Sequence, residues 1–393
     1  MTTVGFLSHM LHSSGGLELC ELAVARGLAA NGWDIRDVYL TSGDLEPAWA
    51  EFAQLVAVAP SASLDEVATG LFAGVDVIHI HADAHYGVAA RAGRALGIPV
   101  VAHLHLPPPE ERSGWRRVLR GRHREPRDPD VFGPGSGITR FVAVSTAMRR
   151  AWIAADLPPD RVDVVHNGID LDRFRPPVGD ERASMRRALG IDPAATVIGY
   201  VGRIDDRKGV PQLVDAFARI AADRPDVVLV AVGEPTRHLL EADGGAAFAA
   251  LKATSHPAIR WLGKRTDVAE LYRAMDLLVV PSQWEEPFGM VATEAMASGL
   301  CVVATARGGL PEILDGELRA NLVGPTAPEI ATRLGELVDR PERRAHFGLL
   351  GREAVERRFS LAAMVGGVEE SLRAALAEHS VPASHPPLST ESS

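Results

Sequence analysis

Short apolar runs rich in β-branched residues alternate with longer amphipathic stretches along most of the chain. This alternation is typical of βαβ units, in which a crossover helix follows each strand of a parallel sheet. In the first half the pattern predicts strands at Val4–Ser8, Ile35–Leu40, Val75–Ile80, Val100–His105 and Phe141–Val144. In the second half it predicts strands at Val197–Gly202, Val227–Val232, Ile259–Gly263 and Leu277–Pro281, and one more strand between a helix at 290–298 and the loop at 308–312. We therefore expect a parallel α/β fold in both halves.

A stretch of linker composition, Arg175–Gly179, separates the two series of strands. Domains are therefore predicted at 1–172 and 173–360. A helical pattern fills 361–378, and the tail at 379–393 is rich in Ser and Pro and is expected to be disordered.

Composition and charge limit the class of protein. The chain has 393 residues, of which 46% are hydrophobic and 23% charged, as in globular proteins of two or three domains. A formal charge of −10 argues against a general nucleic-acid binder. Cys20 and Cys301 show no metal-ligand spacing, which favours a reducing compartment. Because we find neither a secretory leader nor an apolar run of about 20 residues, we expect a cytoplasmic protein that is not integral to a membrane.

Two carboxylates, Glu286 and Glu294, carry the chemistry of the second half. Glu286 precedes a Pro-Phe-Gly turn after a predicted strand, and a predicted helix at 290–298 places Glu294 in its early turns, near free backbone N–H groups. Two acceptor-only groups can each bind a vicinal diol, which indicates a sugar or ribose site. Glu285 has no acidic partner at the same spacing and receives no role.

Two loops have the composition of phosphate-binding sites. Gly15 and Gly16 follow the first strand and precede a predicted helix at 17–31, so the backbone there can approach an anion closely. A simple tight turn is the alternative for this pair. Arg203 and Lys208 follow the first strand of the second half and precede another helix, where cations and free amides together suit a phosphate.

Four histidines are candidates for ligand contact. His103 and His105 alternate along one strand, so both should lie on the same face, with His105 nearer the carboxyl end, where open α/β sheets bind ligands. The alternative is a core histidine hydrogen-bonded to the backbone. His9 and His12, on the loop after the first strand, face an acceptor or are merely solvated.

Seven arginines crowd the segment 112–127, where Glu125 is the one acidic residue. Such a run is usually a solvated helix or a mobile loop. The functional alternative is a grip on an anionic acceptor or on an anionic lipid surface, with Trp115, Arg116 and Arg117 as contacts. In the lipid case the protein would be peripheral to the inner face of a membrane.

The chain resembles the family-four retaining glycosyltransferases, which have the GT-B architecture of two Rossmann-like β/α/β domains facing across a cleft. The motifs that carry the resemblance are E-x7-E at Glu286 and Glu294, G-R-x4-K-G at 202–209, N-G-x-D at 167–170 and the loop 308–312. The resemblance implies an acceptor-binding first domain, a donor-binding second domain, and a helix at 361–378 that crosses back to the first domain.

Residue roles follow from the same resemblance. Glu286 holds hydroxyls of the donor sugar and Glu294 those of the ribose, while Arg203 and Lys208 hold the β-phosphate and His105 lies by the reacting sugar. The further donor-binding residues are Gly15, Gly16, Trp261, Leu262, Phe288, Gly289, Met290 and Val291. The acceptor-side candidates are His9, His12, His103, Trp115, Arg116 and Arg117.

The implied reaction is the retaining transfer of a hexose-type sugar from a nucleotide diphosphate sugar, with UDP the expected nucleotide. No D-x-D motif stands in a suitable position, so activity without a divalent metal and without any cofactor is expected. The acceptor is left open among a small molecule, a lipid headgroup and a glycan. Alternatives are a phosphorylase or a nucleotide-sugar epimerase of the same architecture, and a protein that senses nucleotide-sugars without turnover.

Overall fold

The computed structural model describes residues 1–13, 16–59, 63–108, 128–132, 135–236 and 245–380. These residues form two compact units. The first unit comprises Met1–Val144, Arg149–Val165 and the described residues from Val365 onward. The second unit comprises Ser145–Met148 and His166–Met364.

A parallel sheet, seven-stranded among the described residues, forms the centre of the first unit. Its strands are β1 (Thr3–Met10), β2 (Asp34–Thr41), β3 (Ala53–Ala57), β4 (Val77–Ile80), β5 (Val100–Leu104), β6 (Arg140–Ala143) and β7 (Val162–Val164). The order across the sheet is β3-β2-β1-β4-β5-β6-β7, so the direction of winding reverses between β1 and β4. β4 and β5 are buried along their whole length, as expected where helices cover both faces of a parallel sheet.

Helices connect these strands. Those up to residue 165 are α1 (Gly16–Ala30), α2 (Glu46–Ala50), α3 (Leu64–Leu71), α4 (Tyr86–Leu96), α5 (Pro129–Phe132) and α6 (Thr146–Ala154). α1 ends, as its sequence predicts, just before Gly32, which has a left-handed φ of 88° that glycine adopts without strain.

The second unit repeats the design with a parallel sheet of six strands among the residues described. They are β8 (Thr196–Val201), β9 (Val227–Val232), β10 (Ile259–Gly263), β11 (Leu277–Val280), β12 (Cys301–Thr305) and β13 (Leu322–Val323), in the order β10-β9-β8-β11-β12-β13. The helices are α7 (Glu181–Ala188), α8 (Val210–Ala221), α9 (Ala246–Thr254), α10 (Val268–Ala274), α11 (Met290–Ala297), α12 (Leu310–Ile313), α13 (Ala327–Val338) and α14 (Pro341–Arg358). Here the winding reverses between β8 and β11.

The change of unit lies between Val165 and His166, a few residues before the predicted limit at 172. The turn that carries the N-G-x-D motif explains the difference, because it packs on residues of the second unit. A Cβ on Gly168 would lie 2.8 Å from the Cα of Leu361, so only glycine permits this approach. The turn therefore belongs to the second unit.

The last described helix, α15 (Leu361–Ser380), begins in the second unit and continues in the first. Within the first unit, Glu369 of this helix accepts hydrogen bonds from Asn31 Nδ2 at 2.7 Å and from Trp33 Nε1 at 3.2 Å. Across the part of the chain that the structure describes, neither α15 nor any other helix combines the length and the apolar character that a bilayer-spanning segment requires.

The apolar pattern does not predict three of the strands, β3, β7 and β13. Each is short and each forms an edge of its sheet. An edge strand buries less of its surface than a central strand, so its sequence contains no continuous apolar run. β3, for example, has no fully buried position over Ala53–Ala57, where three residues are half-buried and two are exposed.

A buried acidic group lies between α1 and the first sheet. Ser8 Oγ donates a hydrogen bond to Asp37 Oδ1 at 2.9 Å, and Glu21 of α1 is buried beside them. Burial raises the pKa of Asp37 to about 7. Burial and the neighbouring Asp37 also raise the pKa of Glu21 well above its usual value. The protonated form of this pair is therefore the one that the core favours.

Candidate functional site

The carboxyl ends of β8 and β11 lie side by side at the reversal point of the second sheet, where open α/β sheets bind ligands. The loop 202–209 follows β8, and the loop 281–289 follows β11. These two loops touch, since the amide of Gln283 donates a hydrogen bond to the carbonyl oxygen of Arg207 at 2.7 Å. The two motifs that are far apart in the sequence are thus neighbours in the fold.

Glu286 is buried, and one of its two carboxylate oxygens has three hydrogen-bond donors. Oε1 accepts from Lys208 Nζ at 2.5 Å, from Trp284 Nε1 at 3.1 Å and from Ser282 Oγ. No residue in the described part of the chain donates to Oε2. Three donors fix the orientation of the carboxylate, and Oε2 is left as an acceptor for a ligand hydroxyl.

The ammonium group of Lys208 contacts Glu286 and is also partly exposed to solvent. Asp205 accepts a hydrogen bond from the Lys208 amide at 2.8 Å and so caps the short turn that carries the lysine. The ammonium also lies 5.4 Å from the centroid of the Trp284 ring. Its side chain is 20% exposed, and an ammonium has three N–H donors, so it can bind an anion without releasing Glu286.

The loop at Gly308 and Gly309 packs closely against the backbone of Glu286. A Cβ on Gly308 would lie 2.1 Å from the Glu286 carbonyl oxygen, and the Gly309 amide donates to that oxygen at 2.8 Å. The Gly308 amide donates to Glu285 Oε2 at 2.5 Å, and Arg307 pairs with the same carboxylate at 3.2 Å. Glu285, which the sequence left without a role, therefore anchors the loop that positions Glu286.

Gly308→Ala should lower turnover about 10-fold or more, because the new Cβ displaces the backbone of Glu286. Gly316→Ala is the matched control. Gly316 has a φ of 55°, against 54° at Gly308, but no atom within 4 Å of the added Cβ. Both variants bear the same backbone strain, so steady-state rates at equal folded fraction isolate the contact with Glu286. Equal losses in both variants would contradict this account.

Glu294 lies in the second turn of α11, within the early turns that the sequence predicts. Its Oε2 accepts a hydrogen bond from the Tyr272 hydroxyl at 2.9 Å. Burial raises the pKa of Glu294 to about 7, although the Tyr272 hydrogen bond and the charge of Arg173 act in the opposite direction. The carboxyl group is therefore close to its midpoint of titration at neutral pH.

The other predicted donor residues differ in what they offer. Arg203 is exposed, and its guanidinium forms no ion pair with a described residue. The amides of Met290 and Val291, at the start of α11, have no acceptor among the residues the structure describes, so they can bind an anion. Phe288 is buried and can offer a ligand only its backbone.

Gly289, Trp261 and Leu262 complete the predicted donor residues. Gly289 precedes α11 with a φ of 125°, and a Cβ there would lie 2.8 Å from a methyl of Leu310. Trp261 and Leu262 are half-buried on the edge strand β10. The Trp261 indole donates to Ser255 Oγ at 3.3 Å, so a ligand near this strand would meet mainly backbone and ring faces.

In the first unit, Gly16 is the exposed first residue of α1, and an added Cβ would meet no described atom within 4 Å. His9 belongs to the end of β1 rather than to the following loop, and its Nδ1 lies 3.1 Å from His85 Nε2. His12 is exposed and contacts Asp44 at 3.1 Å. Four predicted residues lie outside the described part of the chain, namely Gly15, Trp115, Arg116 and Arg117, together with the rest of 112–127.

Four imidazoles gather at the ends of β4 and β5. His103 and His105 stack with ring centroids 4.3 Å apart, on one face of the strand as their alternation predicts. His79 and His81 of the neighbouring strand join them, with centroids 5.6 Å and 4.6 Å from that of His103. His79, His81 and His103 are fully buried, so His103 is neither open to an acceptor nor, as the alternative reading held, bonded to the backbone.

These histidines make few hydrogen bonds. Both ring nitrogens of His79 and of His103, and Nε2 of His81, are buried without a partner. Nitrogen atoms of His79, His81 and His103 lie within 4.8 Å of one another. Imidazoles are ligands that metal ions such as zinc prefer.

The first unit also contains a cavity of about 190 Å³. Asp83, which follows β4, lines it together with Arg91 of α4, Asp128 and Trp152. Carboxylates next to an aromatic ring are the groups that bind polyols, because hydroxyls need acceptors and the apolar faces of a sugar ring need a flat partner.

Sequence reasoning missed several residues that shape the site. Ser282 and Trp284 both donate to Glu286, and Tyr272 donates to Glu294. Glu312, the last residue of the G-G-L-P-E loop, accepts from the amides of Thr146 and Ala147 at 2.8 Å and 2.6 Å. Burial opposes ionisation of Glu312, but these bonds and one from His166 lower its pKa below the usual value. The G-G-L-P-E motif was a sequence signal for Glu312, whereas no sequence pattern indicated Ser282, Trp284 or Tyr272.

Comparison with known proteins agrees with this geometry. Residues 14–173 match the family described as Glycosyltransferase Family 4, and residues 181–354 match the one described as Glycosyl transferases group 1. The chain is 39% identical over 227 residues to a D-inositol 3-phosphate glycosyltransferase of Segniliparus rotundus, an alignment that covers 57% of this chain and 49% of that protein. It is 35% identical over 179 residues to the lipopolysaccharide core biosynthesis mannosyltransferase LpsB of Rhizobium meliloti, covering 46% and 49%. These alignments span about half the length of the curated relatives.

Solved structures resemble the whole chain more evenly. HepE of Anabaena in complex with UDP-glucose superposes with a TM-score of 0.79 and 22% identity, over 95% of this chain and 100% of that one. A glycosyltransferase of Rickettsia africae gives 0.78 and 18%, over 95% and 99%. At these identities the similarity shows the fold. The fold and the two parallel sheets define a GT-B protein, as predicted. The chain belongs to the family-four glycosyltransferases.

Proposed function

We propose that the protein is a retaining glycosyltransferase that moves a hexose-type sugar from a nucleotide diphosphate sugar, in the first instance a UDP-sugar, without a divalent metal. The observation that supports this most is the pair of Lys208 and Glu286 at the reversal point of the second sheet. It offers a cation for a diphosphate beside a carboxylate oxygen that is available to a sugar hydroxyl.

Each step of the proposed reaction has a group that suits it. Lys208, Arg203 and the amides that begin α11 stabilise the charge on the departing diphosphate, a task that positioned cations and N–H donors perform without a metal. Glu286 Oε2 accepts from the donor sugar, and Glu294 accepts from the ribose. The departing phosphate oxygen takes the proton of the acceptor hydroxyl, so no protein base is needed.

The acceptor is proposed to bind the first unit. The names of the relatives direct the first assays to an inositol phosphate and to a lipopolysaccharide-core sugar. The cavity lined by Asp83, Asp128 and Trp152 has the chemistry to bind a polyol of this kind. The cytoplasm, or its face of the inner membrane, is the proposed location.

A thermal-shift panel of nucleotides and nucleotide-sugars tests the donor site. One nucleotide diphosphate sugar should raise the melting temperature of the wild type, because a ligand that binds only the folded state stabilises it by mass action. EDTA should not change the shift, and Glu294→Ala should abolish it. The shift should also grow between pH 6 and pH 8, as Glu294 ionises around its pKa of about 7 and becomes a pure acceptor.

Tyr272→Phe is the matched control for Glu294, because it removes the hydrogen bond to the carboxylate but leaves the acceptor in place. It should retain the ligand-induced shift, but the growth of the shift should move to higher pH, because loss of the Tyr272 hydrogen bond raises the pKa of Glu294 further. An EDTA-sensitive shift would overturn metal independence. Consumption of inorganic phosphate would indicate a phosphorylase, epimerised donor without an acceptor would indicate an epimerase, and tight binding without nucleotide release under any acceptor would indicate a sensor.

A further inference from the structure

The two imidazoles of His81 and His105 meet at the carboxyl ends of β4 and β5. These strands are paired, with Ile80 beside Ala102, so the residues that follow them project from the same edge. His81 Nδ1 lies 2.9 Å from His105 Nε2. The ring planes are inclined by only 26° with centroids 5.0 Å apart, which is the arrangement of an in-plane hydrogen bond between the two rings.

Burial decides which ring donates. Burial lowers the pKa of His105 to about 4 and that of His81 well below its usual value, so both rings are neutral at neutral pH, each with one N–H and one lone pair. Nε2 of His81 is buried without a partner. If His81 accepted at Nδ1, its proton would sit on this orphaned Nε2. Buried N–H groups without an acceptor are rarer than buried acceptors without a donor, so His81 donates from Nδ1.

We propose that His81 is a positioning residue that fixes His105 in the tautomer with its proton on Nδ1, so that His105 presents an N–H donor to an oxygen of the acceptor. This inference rests on the proposed function, in which the acceptor binds the first unit. His105 is half-buried, and its Nε2 is occupied by His81. The ring therefore acts as a hydrogen-bond donor of defined orientation and not as a general base.

Nitrogen-15 NMR of the histidine rings tests the tautomer in the full chain without substrate. In the wild type, His105 should show a protonated Nδ1 and an unprotonated Nε2, and His81 should also be protonated on Nδ1. In His81→Leu, His105 should change to the Nε2-protonated form that free imidazole side chains favour. A wild-type His105 protonated on Nε2 would overturn the proposal, whatever the activity of the enzyme.

Enzyme kinetics test the consequence with a pair of variants. The amide nitrogen of an Asn at position 81 occupies nearly the place of the His Nδ1, so His81→Asn keeps the donor, whereas His81→Leu removes it. His81→Leu should lower kcat about 10-fold, on the scale of other orienting hydrogen bonds, with little change in the KM for donor. His81→Asn should restore most of that loss.

His79→Leu is the control for packing. His79 is as buried as His81 and lies in the same cluster, with its centroid 4.5 Å from that of His81, but it has no hydrogen bond to His105. It should leave both kcat and the His105 tautomer unchanged. An equal loss in His79→Leu and His81→Leu, or no rescue by Asn, would overturn the positioning role. Absence of any glycosyl transfer by the wild type would count against the proposed function alone, since the NMR result stands without it.

Discussion

Lys208→Gln should lower kcat about 10²-fold or more, while the KM for donor changes less. The departing diphosphate gains negative charge in the transition state, so a fixed ammonium stabilises that state more than it stabilises the bound donor. The ammonium is fixed here, because Glu286 Oε1 holds it at 2.5 Å and Asp205 caps its turn. Gln retains a polar side chain of similar reach and removes the charge. Nucleotide release measured over a range of donor concentrations separates the two kinetic constants.

Arg207→Gln is the matched control for this prediction. Arg207 lies on the same turn, and its replacement by Gln removes the same charge. Its side chain, however, is 49% exposed, and its guanidinium pairs only weakly with Asp205, at a distance of 3.9 Å. Exposed charges at such separations contribute little, so Arg207→Gln should keep kcat near the wild-type value. If both variants lose activity equally, the net charge of the loop matters and Lys208 has no special role.

The neighbourhood of Lys208 and Glu286 shows what sequence can and cannot predict. Each residue follows an apolar run that predicts a strand, so the position of each at a carboxyl edge could be expected. The order of strands could not, because the pairing of β8 with β11 depends on how two distant βαβ units wind against each other. The hydrogen bond between the two side chains is therefore a result of topology that no local pattern contains.

The residues that donate hydrogen bonds to Glu286 and Glu294 could not be predicted from the local sequence either. Trp284 and Ser282 are close to Glu286 in sequence, yet a loop sequence does not reveal which side chains turn toward one carboxylate. Tyr272 reaches Glu294 from α10 and reads simply as an apolar helix position. Conversely, the strand Val-Ile-His79-Ile-His81 contains a signal that could have been used, since two histidines alternate with apolar residues as they do at His103 and His105.

Acidification should destabilise the first unit at pH values that are well above those at which most carboxylates titrate. Burial lowers the pKa of His79 to about 3 and that of His105 to about 4, and those of His81 and His103 fall well below the usual value. In the unfolded chain these residues bind a proton near pH 6.5, as free histidine does. Stability from the neutral rings is therefore full above about pH 6.5 and is lost as the pH falls toward their folded values.

The buried acids act in the opposite direction. Glu21 and Asp37 have raised pKa values in the folded state, so their protonation stabilises the fold as the pH falls from about 7 toward 4. Each group changes the free energy of unfolding by about 1.4 kcal/mol per pH unit within its window. Since four imidazoles oppose two carboxyl groups, the net effect should be a loss of about 3 kcal/mol per pH unit below pH 6.5, a large fraction of the stability of an ordinary domain.

Urea unfolding followed by circular dichroism between pH 5 and pH 8 measures this slope. His79→Leu removes one titrating ring from the cluster, so its midpoint should depend less on pH than that of the wild type, even if its stability at pH 8 differs. His346, which is 52% exposed in the second unit, offers the control, and His346→Leu should keep the wild-type slope. A wild-type midpoint that does not change between pH 7 and pH 5, together with an unchanged slope in His79→Leu, would contradict the lowered pKa values of the buried rings.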